Sequence, residues 1–296
     1  MPYAKHESFH IREGWLSKGM TAIRQDPRAL RRKTASMDLG LGRNMVRALR
    51  FWLVATGLTK QEWESQLVQA LTPFGEMVWR YDRYLEDEGT LWLIHYHLAC
   101  SDDGATAWYW FFNHFAYTVF DQETFIEELG RWAINQEERK PVAQRTLERD
   151  FRVLVRTYLP TERERSPEDL MESPMAELGL LESLDGRQYR LAHPNPDRLH
   201  PLIVLYVLLQ SRPGEPRSER QMGLTQALRE PMSAGRVFNL GAAGLIDLLN
   251  RLETRYPDWA VHLVRTAGLD QLTLPEEQPL AVLEQYYEER LEGGGR

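Results

Sequence analysis

Along most of this chain the apolar positions repeat with a helical period. In Arg43-Asn44-Met45-Val46-Arg47-Ala48-Leu49-Arg50-Phe51-Trp52-Leu53, the residues Met45, Leu49, Trp52 and Leu53 recur at i, i+4, i+7 and i+8, the spacing of one helix face. Gly57 then stops the helix. Downstream, Thr72-Pro73-Phe74-Gly75 reads as a turn beside strand-like Met77-Val78-Trp79. The expected order is helix, turn and short hairpin, as in a winged helix. A second helical face follows in Phe125, Ile126, Leu129, Trp132 and Ala133, broken at Lys140-Pro141. The next segment, 142–159, is predicted as an amphipathic helix stopped by Pro160. After a Ser/Pro/Glu-rich linker over 161–174, residues 178–191 read as a hairpin turning at Asp185-Gly186. That hairpin is the expected wing.

The remaining pattern is more apolar. Residues 89–120 are crowded with aromatic side chains, including Trp92, Tyr96, Trp108, Tyr109, Trp110, Phe111, Phe112, Phe115 and Phe120. Such a run serves either as a platform for stacked bases or as a buried helix pair. It is nearly continuous rather than spaced like a groove, which favours the core. The run over 202–209 has the length of a core helix and falls short of a membrane span. A polar loop over 211–221 precedes a helix containing Leu245, Ile246, Leu248, Leu249 and Leu252, and a last helix spans about 280–287. No solenoid repeat is present. The expected fold is mainly α with small β-hairpins, organised as tandem winged-helix or helix-turn-helix-like domains. The blocks are 1–121 with the aromatic core, 122–199 as a second winged-helix-like domain, and 200–296 as a helical C-terminal domain.

Composition narrows the function. Apolar residues make up 43% and charged residues 27% of the 296, enough for real cores and against global disorder. One cysteine, Cys100, excludes an internal disulfide and a Cys-rich zinc site. The N-terminus has no apolar signal core, so a cytoplasmic location without a membrane is expected. Net charge is −7, but its distribution is uneven. Residues 11–50 hold ten Arg/Lys against three Asp/Glu, and 131–165 hold nine against six. Residues 51–130 hold three against thirteen, and 166–296 hold thirteen against twenty. Positive charge therefore gathers in the two segments that carry helix-turn-helix-like patterns.

Those segments supply the candidate DNA-binding residues: Arg43, Asn44, Arg47 and Arg50 in the first, and Arg145, Thr146, Arg149 and Arg152, followed by Arg156, in the second. Arg and Asn pair with phosphates and base edges, whereas the plain alternative is a solvated helix surface. Other chemistry is weaker. No phosphate loop, dinucleotide fingerprint, serine elbow or His-Glu-x-x-His is found. Gly40 and Gly42 before a helix imitate a phosphate cradle but lack a preceding strand. His95-x-His97, with His114, Asp102 or Asp103, would offer metal ligands if the segment were a strand; polar edges of an aromatic core are the simpler reading. His6, Glu7, His10 and Arg12 lie close in sequence and offer acid–base groups, though a structural role is favoured, with Phe9 and Trp15 as anchors and Arg12 held by Glu7, Glu13 or the Glu86-Asp87-Glu88 run. No cofactor is expected.

Several motifs together carry a resemblance: His6-Glu7-Ser8-Phe9, Arg12-Glu13-Gly14-Trp15-Leu16-x-Lys18-Gly19, Leu39-Gly40-Leu41-Gly42-Arg43-Asn44-Met45-Val46, Leu85-Glu86-Asp87-x-Gly89-Thr90-Leu91-Trp92-Leu93, Ala107-Trp108-Tyr109-Trp110-Phe111-Phe112-Asn113 and Tyr286-Tyr287. With these the chain resembles the bacterial domain-of-unknown-function family numbered four thousand and seven, over nearly its whole length. The family has no assigned catalytic residues. The resemblance implies an association with phage defence and DNA sulfur modification, and partners among such proteins. Gln144-Arg145-Thr146-Leu147-Glu148-Arg149-Asp150-Phe151 is also similar to winged-helix recognition helices. The expected function is a DNA-binding accessory or regulatory protein of a defence or phosphorothioation-type modification system. The alternative is a nuclease or DNA-modification subunit that uses the N-terminal His/Glu/Arg cluster.

Overall fold

In the computed structural model the described residues are 3–63, 65–102, 104–136, 141–160, 172–210, 221–266, 269–276 and 278–293. They form two compact units, 1–192 and 193–296. The architecture is mainly helical with small antiparallel sheets, as the periodicities predicted.

The first unit opens with a strap leading into α1 (Trp15–Gln25), α2 (Ala35–Leu39) and α3 (Arg43–Ala55). β1 (Thr59–Trp63) and β2 (Leu67–Leu71) follow as a hairpin in the register Thr59↔Leu71 to Trp63↔Leu67. The hairpin thus comes before Thr72-Pro73-Phe74-Gly75, not after it. The predicted turn is the start of α4 (Pro73–Tyr81), and the strand-like Met77-Val78-Trp79 are helical. The Thr72 hydroxyl accepts the Gly75 N–H at 2.9 Å and Pro73 occupies the first helical turn, an N-cap and a proline position that look like a turn in sequence. Only glycine fits at 75, since a Cβ there would lie 1.9 Å from the Leu58 carbonyl oxygen.

The aromatic run folds into α5 (Glu88–Ala99) and α6 (Thr106–Asn113), and both are buried on nearly every side. Next come β3 (Val119–Phe120), α7 (Gln122–Asn135), α8 (Gln144–Tyr158), β4 (Leu181–Ser183) and β5 (Tyr189–Leu191), with sheet order β3-β5-β4. The Asp185-Gly186 turn is formed as predicted, with the Asp185 carboxylate accepting from the Arg187 and Gln188 amides and Gly186 at φ 79°. Rings from both sides of residue 121 share one core, Phe111 with Phe125 at 5.8 Å and Phe112 with Tyr158 at 5.2 Å, and before it Trp52 packs on Trp108 at 5.2 Å. Burying these rings stabilises this unit.

The second unit is built on α9 (Pro201–Gln210), the predicted apolar helix, whose residues from Pro201 to Leu208 are all buried. α10 (Leu224–Arg229), α11 (Ala234–Val237), α12 (Ala242–Arg255) and α13 (Pro279–Gly293) complete its helices. Beside them lies a sheet that the helical expectation for 200–296 omitted, β6 (Gln221–Gly223), β7 (His262–Thr266) and β8 (Leu269–Thr273), in the order β6-β8-β7.

Candidate nucleic-acid interface

Each predicted set of DNA-binding residues lies on one helix. In α3 the buried stripe is Val46, Leu49, Trp52 and Leu53, which leaves Arg43, Asn44 and Arg47 exposed and Arg50 half-buried. In α8, Leu147, Phe151, Leu154 and Tyr158 are buried; Arg145, Arg152 and Arg156 are exposed, and Thr146 and Arg149 half-buried. The strong segregation follows from the 3.6-residue period, because Arg at 145, 149, 152 and 156 cannot share a side with Leu147, Phe151 and Leu154. Glu148 is the one carboxylate within that face; the Arg152 Nε donates to its backbone carbonyl at 3.2 Å. The β4–β5 hairpin adds exposed Arg187 at its tip, a residue the sequence reading did not single out although the Asp-Gly turn puts it there.

Around α3 the charge is concentrated. Lys5, Glu7, Arg47, Arg50 and Gln61 line a cleft of about 440 Å³ floored by Phe51, Val54 and Ala55. Burial, then the nearby Arg31 and Arg47 guanidiniums, push the Arg50 pKa down, and Glu7 opposes them. Arg47 reaches Glu7 at 3.8 Å. The buried Nε of Arg31 has no hydrogen-bond partner among the described residues. Lys5, Arg31 and Gln61 come from other elements, so no local spacing in the sequence reveals the cluster.

The inner side of α8 carries the N-terminal motif. Asp150 is buried, and its Oδ1 accepts from the His6 Nε2 at 2.7 Å and from the Ala4 amide at 2.9 Å. The His6 Nδ1 accepts the Ser8 amide at 3.1 Å. With Nδ1 occupied as an acceptor, the imidazole is the neutral Nε2–H tautomer. Its ring stacks on Trp52 at 5.9 Å and meets Trp108 edge-on at 5.7 Å. Ala4, Glu7 and Ser8 hold positive φ values of 51°, 51° and 68°, uncommon for residues with a Cβ. Phe9 accepts the Trp52 indole N–H on its carbonyl at 2.9 Å. Arg12 lies 5.6 Å from the Phe9 ring centroid and 5.3 Å from that of Trp15. Trp15 is buried as an anchor, and Phe9 half-buried. His6, His10 and Arg12 are all buried; Glu7 lines the basic cleft and Arg12 a different one with Glu13 and Lys18, so the four residues of the acid–base reading do not line one common site.

The metal reading fails on geometry. His95 and His97 lie in helix α5, where an i, i+2 pair does not face one point. The Asp87 carboxylate caps that helix through the Gly89 and Thr90 amides. His95 Nδ1 pairs with the Tyr158 hydroxyl at 2.8 Å. His97 packs on Phe74 at 4.5 Å, and desolvation lowers its pKa to about 4. Among the described residues no group of three or more His, Cys, Asp or Glu gathers as metal ligands. Gly40 ends α2 in the left-handed region at φ 62°, and Gly42 precedes α3; the segment before them is helical, which removes the strand a phosphate cradle needs. Among the described residues no helix is long and apolar enough to cross a membrane.

Comparison with known proteins adds the following. The family described as protein of unknown function (DUF4007) matches residues 3–287. A crystal structure of SspB superposes with a TM-score of 0.86 at 26% identity, covering 97% of this chain and 88% of that one. A magnesium ion-bound SspB crystal structure superposes with a TM-score of 0.85 at the same identity and coverage. No curated protein matches.

Proposed function

This chain belongs to the DUF4007 family, and from that premise we propose that it is a DNA-binding accessory or regulatory protein of a bacterial phage-defence or DNA sulfur-modification (phosphorothioation-type) system. The observation that carries the reading is the order α6, β3, α7, α8, β4, β5 with sheet order β3-β5-β4. It is the order of a winged helix, in which the third helix enters the major groove and the hairpin flanks it. The third helix is α8, and its outward face is the one that carries Arg145, Thr146, Arg149 and Arg152. α1, α2, α3 and the β1–β2 hairpin repeat the helix–hairpin part of that order, with Arg43, Asn44, Arg47 and Arg50 as the matching basic face. The family resemblance supports the modification-system setting, where partners are DNA and other proteins of the system.

The test is duplex binding at two salt concentrations. Affinity is expected to fall steeply with salt, because each neutralised phosphate releases a counterion. Replacing Arg145 and Arg149 together by Ala removes two contacts, weakening binding by about tenfold per contact near 0.1 M salt and flattening the salt slope by about one per contact. An unchanged affinity with a flat salt response rejects α8 as the DNA-facing helix.

One observation favours a second reading, a metal-dependent enzyme acting on DNA: a relative of this fold has been crystallised with magnesium. Magnesium needs only one or two carboxylates, with waters and phosphates filling the rest of its shell, so the lack of a three-ligand cluster does not count against it. Supercoiled plasmid incubated with the protein, with and without magnesium, separates the readings: magnesium-dependent strand cleavage establishes an enzyme, and binding without cleavage supports the accessory role.

A further inference from the structure

Six of the nine tryptophans, Trp15, Trp52, Trp92, Trp108, Trp110 and Trp259, are buried. Trp63 is the opposite case, 77% exposed at the last pair of the β1–β2 hairpin, opposite Leu67. Strand alternation places Thr59, Gln61 and Trp63 on one face. That face runs outward from the body. Thr59 is buried and receives the Gln69 side-chain amide at 2.6 Å. Gln61 is exposed and lines the basic cleft with Lys5, Arg47 and Arg50. Trp63 stands two residues farther out, about 7 Å along the strand. A bare indole therefore projects beside a cleft where Lys5, Arg47 and Arg50 gather and where burial and the neighbouring guanidiniums depress Arg50.

We propose that Trp63 stacks on an unpaired nucleobase while Lys5, Arg47 and Arg50 hold the adjoining phosphates, so that this hairpin binds single-stranded or locally opened DNA. The inference rests on the DNA-binding reading and adds to it a strand preference and a second surface. A flat aromatic face needs an exposed base face. In a duplex the faces are stacked inside and the grooves present only edges, whereas single strands offer every face, and proteins that bind them combine stacking aromatics with a cationic groove. The cleft supplies the cationic part within one strand length of the indole.

The experiment uses the full chain and three fluorescent oligonucleotides: a duplex, a single strand, and a duplex with a central unpaired stretch containing 2-aminopurine. Wild type is expected to bind the opened duplex more tightly than the closed one and to quench the 2-aminopurine. Trp63→Ala is expected to lose roughly 5- to 100-fold in affinity for the single strand and the opened duplex, and the quenching with it. Its closed-duplex affinity and melting temperature stay as in wild type, since the side chain touches little of the body. Trp63→Phe recovers most of the loss. If wild type binds the closed duplex but Trp63→Ala matches it on every probe, the stacking role is wrong and the DNA-binding reading survives. If wild type binds no DNA at any salt, both are wrong. If sedimentation shows wild type as a dimer and Trp63→Ala as a monomer with unchanged DNA affinity, the indole serves a second copy of the chain and the inference is overturned.

Discussion

Residues 106–191 and 201–273 share a strand order and differ in chemistry, and the second has one helix more between its first strand and its hairpin. In the first, helix α6, strand β3, helices α7 and α8 and hairpin β4–β5 close a sheet ordered β3-β5-β4; in the second, α9, β6, the helices α10 to α12 and hairpin β7–β8 close one ordered β6-β8-β7. α8 and α12 are therefore counterparts. The outward face of α8 carries four arginines and Glu148, whereas that of α12 mixes Asp247, Asn250, Glu253, Thr254 and Arg255. Arg251 is already engaged, 3.4 Å from Asp197 and 3.7 Å from Asp247, and Arg255 reaches Glu289 at 3.0 Å. The inward faces differ too. α12 buries Leu245, Leu248, Leu249 and Leu252, while α8 buries Asp150 against His6 among leucines and aromatics. Strand order thus does not fix the chemistry of the helix that precedes the hairpin.

The largest expected effect breaks the comparison at the inner faces. Trp108 in α6 packs edge-on against Trp52 and His6, so Trp108→Ala leaves a cavity beneath the His6–Asp150 pair. A loss of about 3 to 5 kcal/mol is expected, against about 2 to 5 kcal/mol for Leu248→Ala in the leucine-lined counterpart. Chemical denaturation measures both. A Trp108→Ala protein of unchanged stability that loses single-strand binding would instead make the aromatic block a base platform.

What the sequence made legible divides along the same line. α8 and its Arg face follow from a local period, and the β4–β5 turn from one dipeptide, Asp185-Gly186. The Arg43, Asn44, Arg47 and Arg50 face was likewise readable within a single helix. β7 and β8 were missed because what marks them is pairing between strands, and β6 joins β8 from half a unit away. Thr72-Pro73 was misread because an N-cap with a first-turn proline uses the residues of a turn. His6 and Asp150 meet across 144 positions, and Lys5, Gln61 and Arg31 join α3 from three other segments. Nothing local announces either cluster, and the exposure of Trp63 is a property of the folded hairpin alone.

Acid sharpens the comparison next, because each unit holds a histidine whose pKa is pushed down to about 4. Desolvation lowers His97 to about 4; His200 is also lowered to about 4, by desolvation and then by Arg255. The His97 ring packs so closely on Gly57 that a Cβ added there would lie 2.7 Å from the ring's Cγ. In the unfolded chain these rings protonate near pH 6.5, while in the fold they stay neutral until about pH 4. Their contribution is thus intact above pH 6.5, declines as pH falls from 6.5 towards 4, and changes no further below that. For His97 the decline amounts to roughly 3 kcal/mol; His200 is partly solvated and contributes less. Unfolding free energies measured between pH 4 and pH 7 check this, with His97→Leu expected to flatten the wild-type slope. An unchanged slope would mean that the ring is already accessible to protons.

The smallest expected effect is the one on which the comparison turns. If charge on the helix before the hairpin, rather than its place in the fold, selects DNA, then stripping α12 of its arginines should do nothing to duplex binding. Arg251 and Arg255 are the arginines of α12, and both are tied to carboxylates of their own unit, at an exposed surface where such pairs contribute about 0 to 1 kcal/mol. A phosphate approaching α12 meets Asp247 and Glu253 beside them and gains little from counterion release. Arg251→Ala with Arg255→Ala is therefore expected to keep duplex affinity within about twofold and to leave the salt slope as in wild type, in contrast to Arg145→Ala with Arg149→Ala. Salt-dependent binding curves for the two double variants, side by side, make the measurement. A loss in the α12 variant as large as that in α8 would show that backbone order, and not the arginine face, is what both helices bring to DNA.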